Sequence, residues 1–144
     1  MSELLRLFPD SSAVRAVRFP TTKQALKSFG VRHLPIAYVV AVQAGKVRLI
    51  GQRRQDLVWE TPVSSVEAIS VCETRSHPPY PQVELAIVLS VRGGYGTTDI
   101  PIVPVSDDGK RSLTWKDTEV RALARRLSES IKGEPGVSHP QRLS

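Results

Sequence analysis

From residue 35 to residue 105 the apolar residues of this chain fall in short strand-length segments separated by turn residues, and a helical spacing takes over only near the C-terminus. That order constrains the fold more than any single residue does. A succession of short strands must bury one face of a sheet, and one amphipathic helix is on hand to cover it. Ile36–Val42 is a β-branched run, Gln43–Lys46 reads as a turn, and Val47–Ile50 alternates, which together predict a β-hairpin. Asp56–Glu60 is a third short strand, Pro62 breaks the chain, and Val63–Val71 is a fourth. Val83–Val91 is the strongest strand. Arg92–Gly96 is a glycine-rich turn. Thr98–Val105 is a last strand, where Pro101 and Pro104 predict an edge position or a bulge.

The ends are read separately. Residues 1–33 form an N-terminal arm in which Val14–Arg18 is either a short edge strand or an ordered extension. Within it, Thr21 or Thr22 is a candidate N-cap, Ala25, Leu26 and Phe29 share a face, and Gly30 is a stop, so a short helix is expected. Glu73–Gln82 holds Pro78, Pro79 and Pro81 and reads as a loop. Thr114 caps the closing helix, in which Val120, Leu123, Ala124, Leu127 and Ile131 form one apolar stripe ended by Gly133. Residues 133–144 are polar and predict a disordered tail. The expected organisation is an arm over 1–33, a β-domain with its helix over 34–132, and the tail.

From Leu34 to Ile131 the chain resembles a bacterial pleckstrin-homology-like (PH-like) domain. The resemblance rests on the hairpin Ala37–Ile50, the segment Trp59–Ile69 with its Pro62-Val63-Ser64-Ser65-Val66 turn, and the closing helix Trp115–Ile131. It implies a mainly β (β+α) fold: a partly open antiparallel barrel of about seven strands, capped by the C-terminal α-helix. Phosphoinositide binders of that family use basic residues on the first strands and the loop between them, and Lys46 and Arg48 fall near that position. The chain departs from the binder pattern in that Tyr38–Ala44 carries no charge.

Composition agrees with a packed single domain. Of 144 residues, 40% are hydrophobic and 24% charged, and aromatics at 6% are so scarce that the core must rest on Val, Leu, Ile and Ala. The single cysteine, Cys72, cannot form an intrachain disulfide, and its apolar neighbours predict a buried, inert thiol. A reducing, cytoplasmic setting is expected. The longest apolar run, Leu34–Val42, is about half of a membrane span, so any membrane contact would be peripheral, at the inner surface.

No residue pattern demands catalysis. His33, His77 and His139 lack partners at metal-ligand spacing, so neither a metal nor another cofactor is expected. Glu60, Glu67, Glu73 and Glu84 read as outward positions on strands. Gly93-Gly94-Tyr95-Gly96 precedes a strand and not a helix, which excludes a phosphate loop and favours a hairpin turn. Trp59 and Trp115 read as packing residues.

The net charge of +6 directs attention to the basic groups. Lys46, Arg48, Arg53 and Arg54 form a candidate ligand-binding cluster. Arg121, Arg125 and Arg126, on the outer side of the last helix, are a candidate partner-binding face. The function expected is a non-catalytic binding or scaffolding module. In its most specific form, an acidic or extended peptide lies along the edge strand next to the last helix. The alternatives are attachment to phospholipid head groups or nucleic acid through the basic clusters, an enzyme of unfamiliar design, and a structural part of a phage or secretion particle.

Overall fold

The structure, a computed structural model, describes residues 13–75, 83–94, 96–105 and 117–133. In chain order the elements are β1 (Ala13–Val17), α1 (Pro20–Lys27), β2 (Ala37–Gln43), β3 (Lys46–Gly51), β4 (Leu57–Pro62), a 3₁₀ turn (Val63–Ser65), β5 (Val66–Arg75), β6 (Val83–Gly93), β7 (Gly96–Pro104) and α2 (Asp117–Lys132). The seven strands form one open antiparallel sheet in the order β4-β3-β2-β1-β7-β6-β5. This is the mainly β architecture with a C-terminal helix that the order of apolar segments implied.

The β2–β3 hairpin turns on Ala44 and Gly45, both left-handed at φ 55° and 76°. Two positive-φ residues in a two-residue loop match the right-handed twist of the strands on either side. Pairing then places Val40 opposite Leu49 and Val42 opposite Val47. Those four side chains join Tyr38, Val14 and Ala16, and Ile87, Leu89, Ile100 and Ile102 from the other half, in one core. Val120, Ala124, Leu127 and Ile131 of α2 are buried in that same core, and the helix packs on β5, β6, β1 and β2. The opposite face of the sheet also has buried patches, Ala13–Val39–Ala41–Ile50 and Phe19–Ala86–Val88–Val103. Burial on both faces explains why β2 and β6 are written as continuous apolar runs and do not alternate.

Several expectations are corrected. β1 is no edge strand or arm; it lies between β2 and β7, so residues 13–33 are part of the sheet and its core. β7 is also internal despite its prolines. The reason is local. Pro101 directs its carbonyl away from β6, to Thr22 of α1, whose Oγ1 donates to it at 2.5 Å. The missing N–H of Pro101 lies on that same side, where β1 has already ended and no ladder bond is required. The threonines of α1 accordingly do not cap it. Thr22 is spent on Pro101, Thr21 Oγ1 lies 2.5 Å from Thr74 Oγ1, and the helix opens with Pro20 at its first turn. β5 runs on to Arg75, through the first residues of the expected proline loop. Residues 76–82, the Thr114 cap, Trp115 and the tail after Gly133 lie outside the described residues.

Tyr38 is fully buried, its hydroxyl lacking an aligned partner while the neighbouring Thr22 hydroxyl is committed to Pro101. Burial pushes the phenol well above its ordinary range, and the Thr22 hydroxyl only partly opposes this. The folded state therefore holds a proton that the unfolded chain releases near pH 10, so stability falls as pH rises beyond about 10. Tyr38→Phe should keep or raise stability, by up to about 1 kcal/mol at neutral pH, and should delay alkaline unfolding. Denaturant melts across pH check both. Leu127→Ala, which empties the helix stripe at its centre, should cost about 2–5 kcal/mol in the same assay.

Candidate functional site

β5 is a terminal strand of the sheet, paired only with β6. Its ten residues make it longer than the other terminal strand, β4, which has six and ends at Pro62. Among the described residues no backbone hydrogen bond reaches its outer edge. The register shows which groups stay free. Pro101 faces Val88, and because its carbonyl points away from β6 this is the wide, non-hydrogen-bonded pair. Val88 therefore bonds across to Ser70 on its other side, and the N–H groups of Ile69, Val71 and Glu73 point outward.

Beside that edge lies α2, and the space between them is a groove in two connected parts. One, of about 500 Å³, runs past Val63, Val66, Ile69 and Ile131. The other, of about 350 Å³, runs past Val71, Arg121, Arg125 and Glu129. Ile69, Ser128 and Lys132 border both. The floor is half-buried and aliphatic, whereas the helix wall presents Arg121, Arg125 and Lys132. Arg121 is held by Asp117 at 2.6 Å, one helical turn back. Arg125 has no ion pair or hydrogen bond among the described residues and is exposed. Arg126 is exposed too, but does not border the groove. At the far end Glu67 accepts from Arg92 Nε and Thr97 Oγ1, both at 2.7 Å. The Thr97 and Arg92 bonds hold its carboxyl below the usual range and fasten the start of β5 to the β6–β7 turn.

The predicted basic cluster is divided. Lys46 and Arg48 sit at the start of β3, while Arg53 and Arg54 lie in the turn beyond its end. Register puts Glu60 of β4 opposite Arg48, and Glu60 answers both cations. Lys46 Nζ stands 3.2 Å from Oε2, and Arg48 Nε 3.1 Å from Oε1 as an ion pair without hydrogen-bond alignment. Lys46 and Arg48 thus share one carboxylate, whereas Arg53 and Arg54 border a separate hollow with Arg18 and His33.

Other expected positions are revised as well. Cys72 is exposed on β5, because its register partner Ala86 faces away from the core centred on Ile87. Glu84 is buried and partnered, unlike a solvated strand residue. Trp59 is a packing residue, stacked at a tilt on Phe29 with ring centres 5.2 Å apart. The groove itself was hidden from sequence reading, since an edge is defined by a missing neighbour. The alternation of Ile69 and Val71 with Ser70 and Cys72 was the available signal. Among the described residues no group of His, Cys, Asp and Glu is arranged to hold a metal, and no helix is long and apolar enough to cross a membrane.

Glu60→Gln should release Lys46 and Arg48. The pair is part-exposed, so stability should fall by no more than about 1 kcal/mol, with the loss shrinking in high salt. Retention on a polyanion resin should rise at the same time. Denaturant melts at two salt concentrations and an elution profile measure these effects.

Comparison with known proteins returns no matching family model, no matching curated protein and no matching solved structure.

Proposed function

We propose that the protein is a non-catalytic, PH-like binding module that takes an extended, acidic peptide along the outer edge of β5. The observation that carries this reading is the pairing of a free strand edge with a helix wall. Outward N–H groups at Ile69, Val71 and Glu73 supply main-chain bonds to an added strand. Alternate side chains of that strand would meet the aliphatic floor of Val66, Ile69 and Ile131. The others would meet Arg125, which has no carboxylate partner among the described residues and favours an acidic side chain. Most natural edges are blunted by bulges or proline, and β5 carries its irregularity only between Val66 and Ala68.

Peptides selected from a displayed random library against the whole protein provide the probe. They should be enriched in β-branched and acidic residues and bind more weakly as salt rises. Glu73→Pro removes an outward donor without touching the β5–β6 ladder, so it should weaken binding at least about tenfold while leaving the melting midpoint nearly unchanged. Arg125→Glu should select against acidic peptides. Selected peptides that bind Glu73→Pro as well as the parent, or that shift amide resonances only away from β5 and α2, would show the reading to be wrong.

A further inference from the structure

The amino-acid sequence of β5 matches the ligand that its own edge would select. Val66, Ile69, Val71 and Thr74 are β-branched, Glu67 and Glu73 are acidic, and neither proline nor lysine interrupts the strand. Proline and lysine are residues by which natural edges commonly resist pairing with a second sheet. Ile69 and Val71 pack toward α2, and Glu73 alternates onto the same face, since its register partner Leu85 packs there too. Glu73 is exposed, and its ion pair with Arg75, at 3.6 Å, is exposed on both sides. Arg125, on the groove wall, has no carboxylate partner among the described residues. The edge thus carries an unanswered cation beside Ile69 and Val71, and an acid further along the same face.

Two copies of such an edge can pair antiparallel about a two-fold axis. The outward N–H and C=O groups at Ile69, Val71 and Glu73 limit the registers. With the axis at Val71, Val71 bonds to the partner's Val71 and Ile69 to the partner's Glu73, so that about six backbone bonds form. The partner's Glu73 then stands beside Ile69 on the groove face, next to Arg125, and symmetry repeats the contact. An axis at Cys72 would set the partner's Arg75 beside Ile69, cation against cation. An axis at Ser70 would carry the partner's Glu73 to the irregular register between Val66 and Ala68.

We propose that β5 pairs with β5 of a second copy of this chain, with the axis at Val71 and Arg125 of each copy meeting the partner's Glu73. The inference rests on the reading of this edge as an open strand-addition site, and it gives that site a regulation. The pair occupies both edges, so an acidic peptide binds the monomer and dissociates the dimer. A short ladder and exposed ion pairs make the association weak, with dissociation in about the micromolar range.

Sedimentation velocity of the full chain over a range of concentrations is the test. The parent should pass from monomer to dimer as concentration rises. Arg125→Glu and Glu73→Arg should each weaken the dimer at least about tenfold, and the double variant should recover most of that loss, because the two charges have only changed places. Ser70→Cys reports the register. Ser70 stands opposite the partner's Cys72 in a non-hydrogen-bonded pair, with Cα atoms about 4.5 Å apart, so mild oxidation should yield covalent dimers that the parent forms far more slowly. A chain that stays monomeric to about 1 mM overturns the inference, and if library-selected acidic peptides still shift the β5 amide resonances, the peptide reading stands alone. A dimer indifferent to either charge reversal, or not restored by the double variant, also overturns it, as does a parent that oxidises to dimer as fast as Ser70→Cys. A charge-sensitive, restorable dimer of a chain that binds no selected peptide upholds the pairing and removes the peptide reading.

Discussion

Val120, Ala124, Leu127 and Ile131 cover one face of an open sheet, and its main core exists because they do. Backbone bonds join the two halves of that sheet, β1–β4 and β5–β7, where β1 pairs with β7 at Ala16–Pro104 and Val17–Val103 and where Val105 N–H donates to Arg15 O. A seam that short offers a few backbone bonds of about 1 kcal/mol net each. The helix reaches β5 and β6 on one half and β1 and β2 on the other. Burying a Val, Leu or Ile side chain contributes about 1.5–3 kcal/mol, so the stripe outweighs the seam. α1 supports the same junction, with Thr22 occupying the Pro101 carbonyl where β1 has stopped.

The helix covers a face but not an edge, and the candidate site follows from that difference. β5 keeps one row of donors and acceptors unpaired because α2 lies against its side chains and offers no strand. An aliphatic floor and a basic wall then come from residues whose first task is packing or solvation. Ile69 and Ile131 serve the core and line the groove, while Arg125 is simply the exposed flank of an amphipathic helix. At the other end of β4, the aliphatic pair Ile36 and Leu57 belongs to neither core nor groove, and its surrounding arginines lack the acids that answer Lys46 and Arg48.

Where local chemistry decides a feature, the chain could be read directly. Gly45 in a polar turn between β-branched runs announced the β2–β3 hairpin, and the spacing of Val120, Leu127 and Ile131 announced the covering helix. Reading failed where the outcome depends on a neighbour distant in sequence. Prolines at 101 and 104 argued for an edge, yet the side that Pro101 impairs faces α1 beyond the end of β1, and the side that Pro104 impairs faces β6 beyond its last pair, Ile87–Ile102. Thr21 and Thr22 had the chemistry of caps but are spent on Thr74 and Pro101. Cys72 sits in an apolar stretch, and a period of two turned it outward. The basic cluster near the first hairpin split because Glu60 comes into register with Arg48 only when β3 and β4 pair.

By itself the sequence determined most of the elements from residue 36 onward and their order, the turn at Ala44–Gly45 and the stripe that must be buried. These depend on backbone φ preferences and on apolar periodicity within one segment. Only the tertiary structure decided which strands end the sheet, which carboxylate meets which cation, and which apolar side chains find no partner. Those outcomes are set by pairings between residues far apart in the chain, and no local preference encodes the identity of a neighbour or its absence.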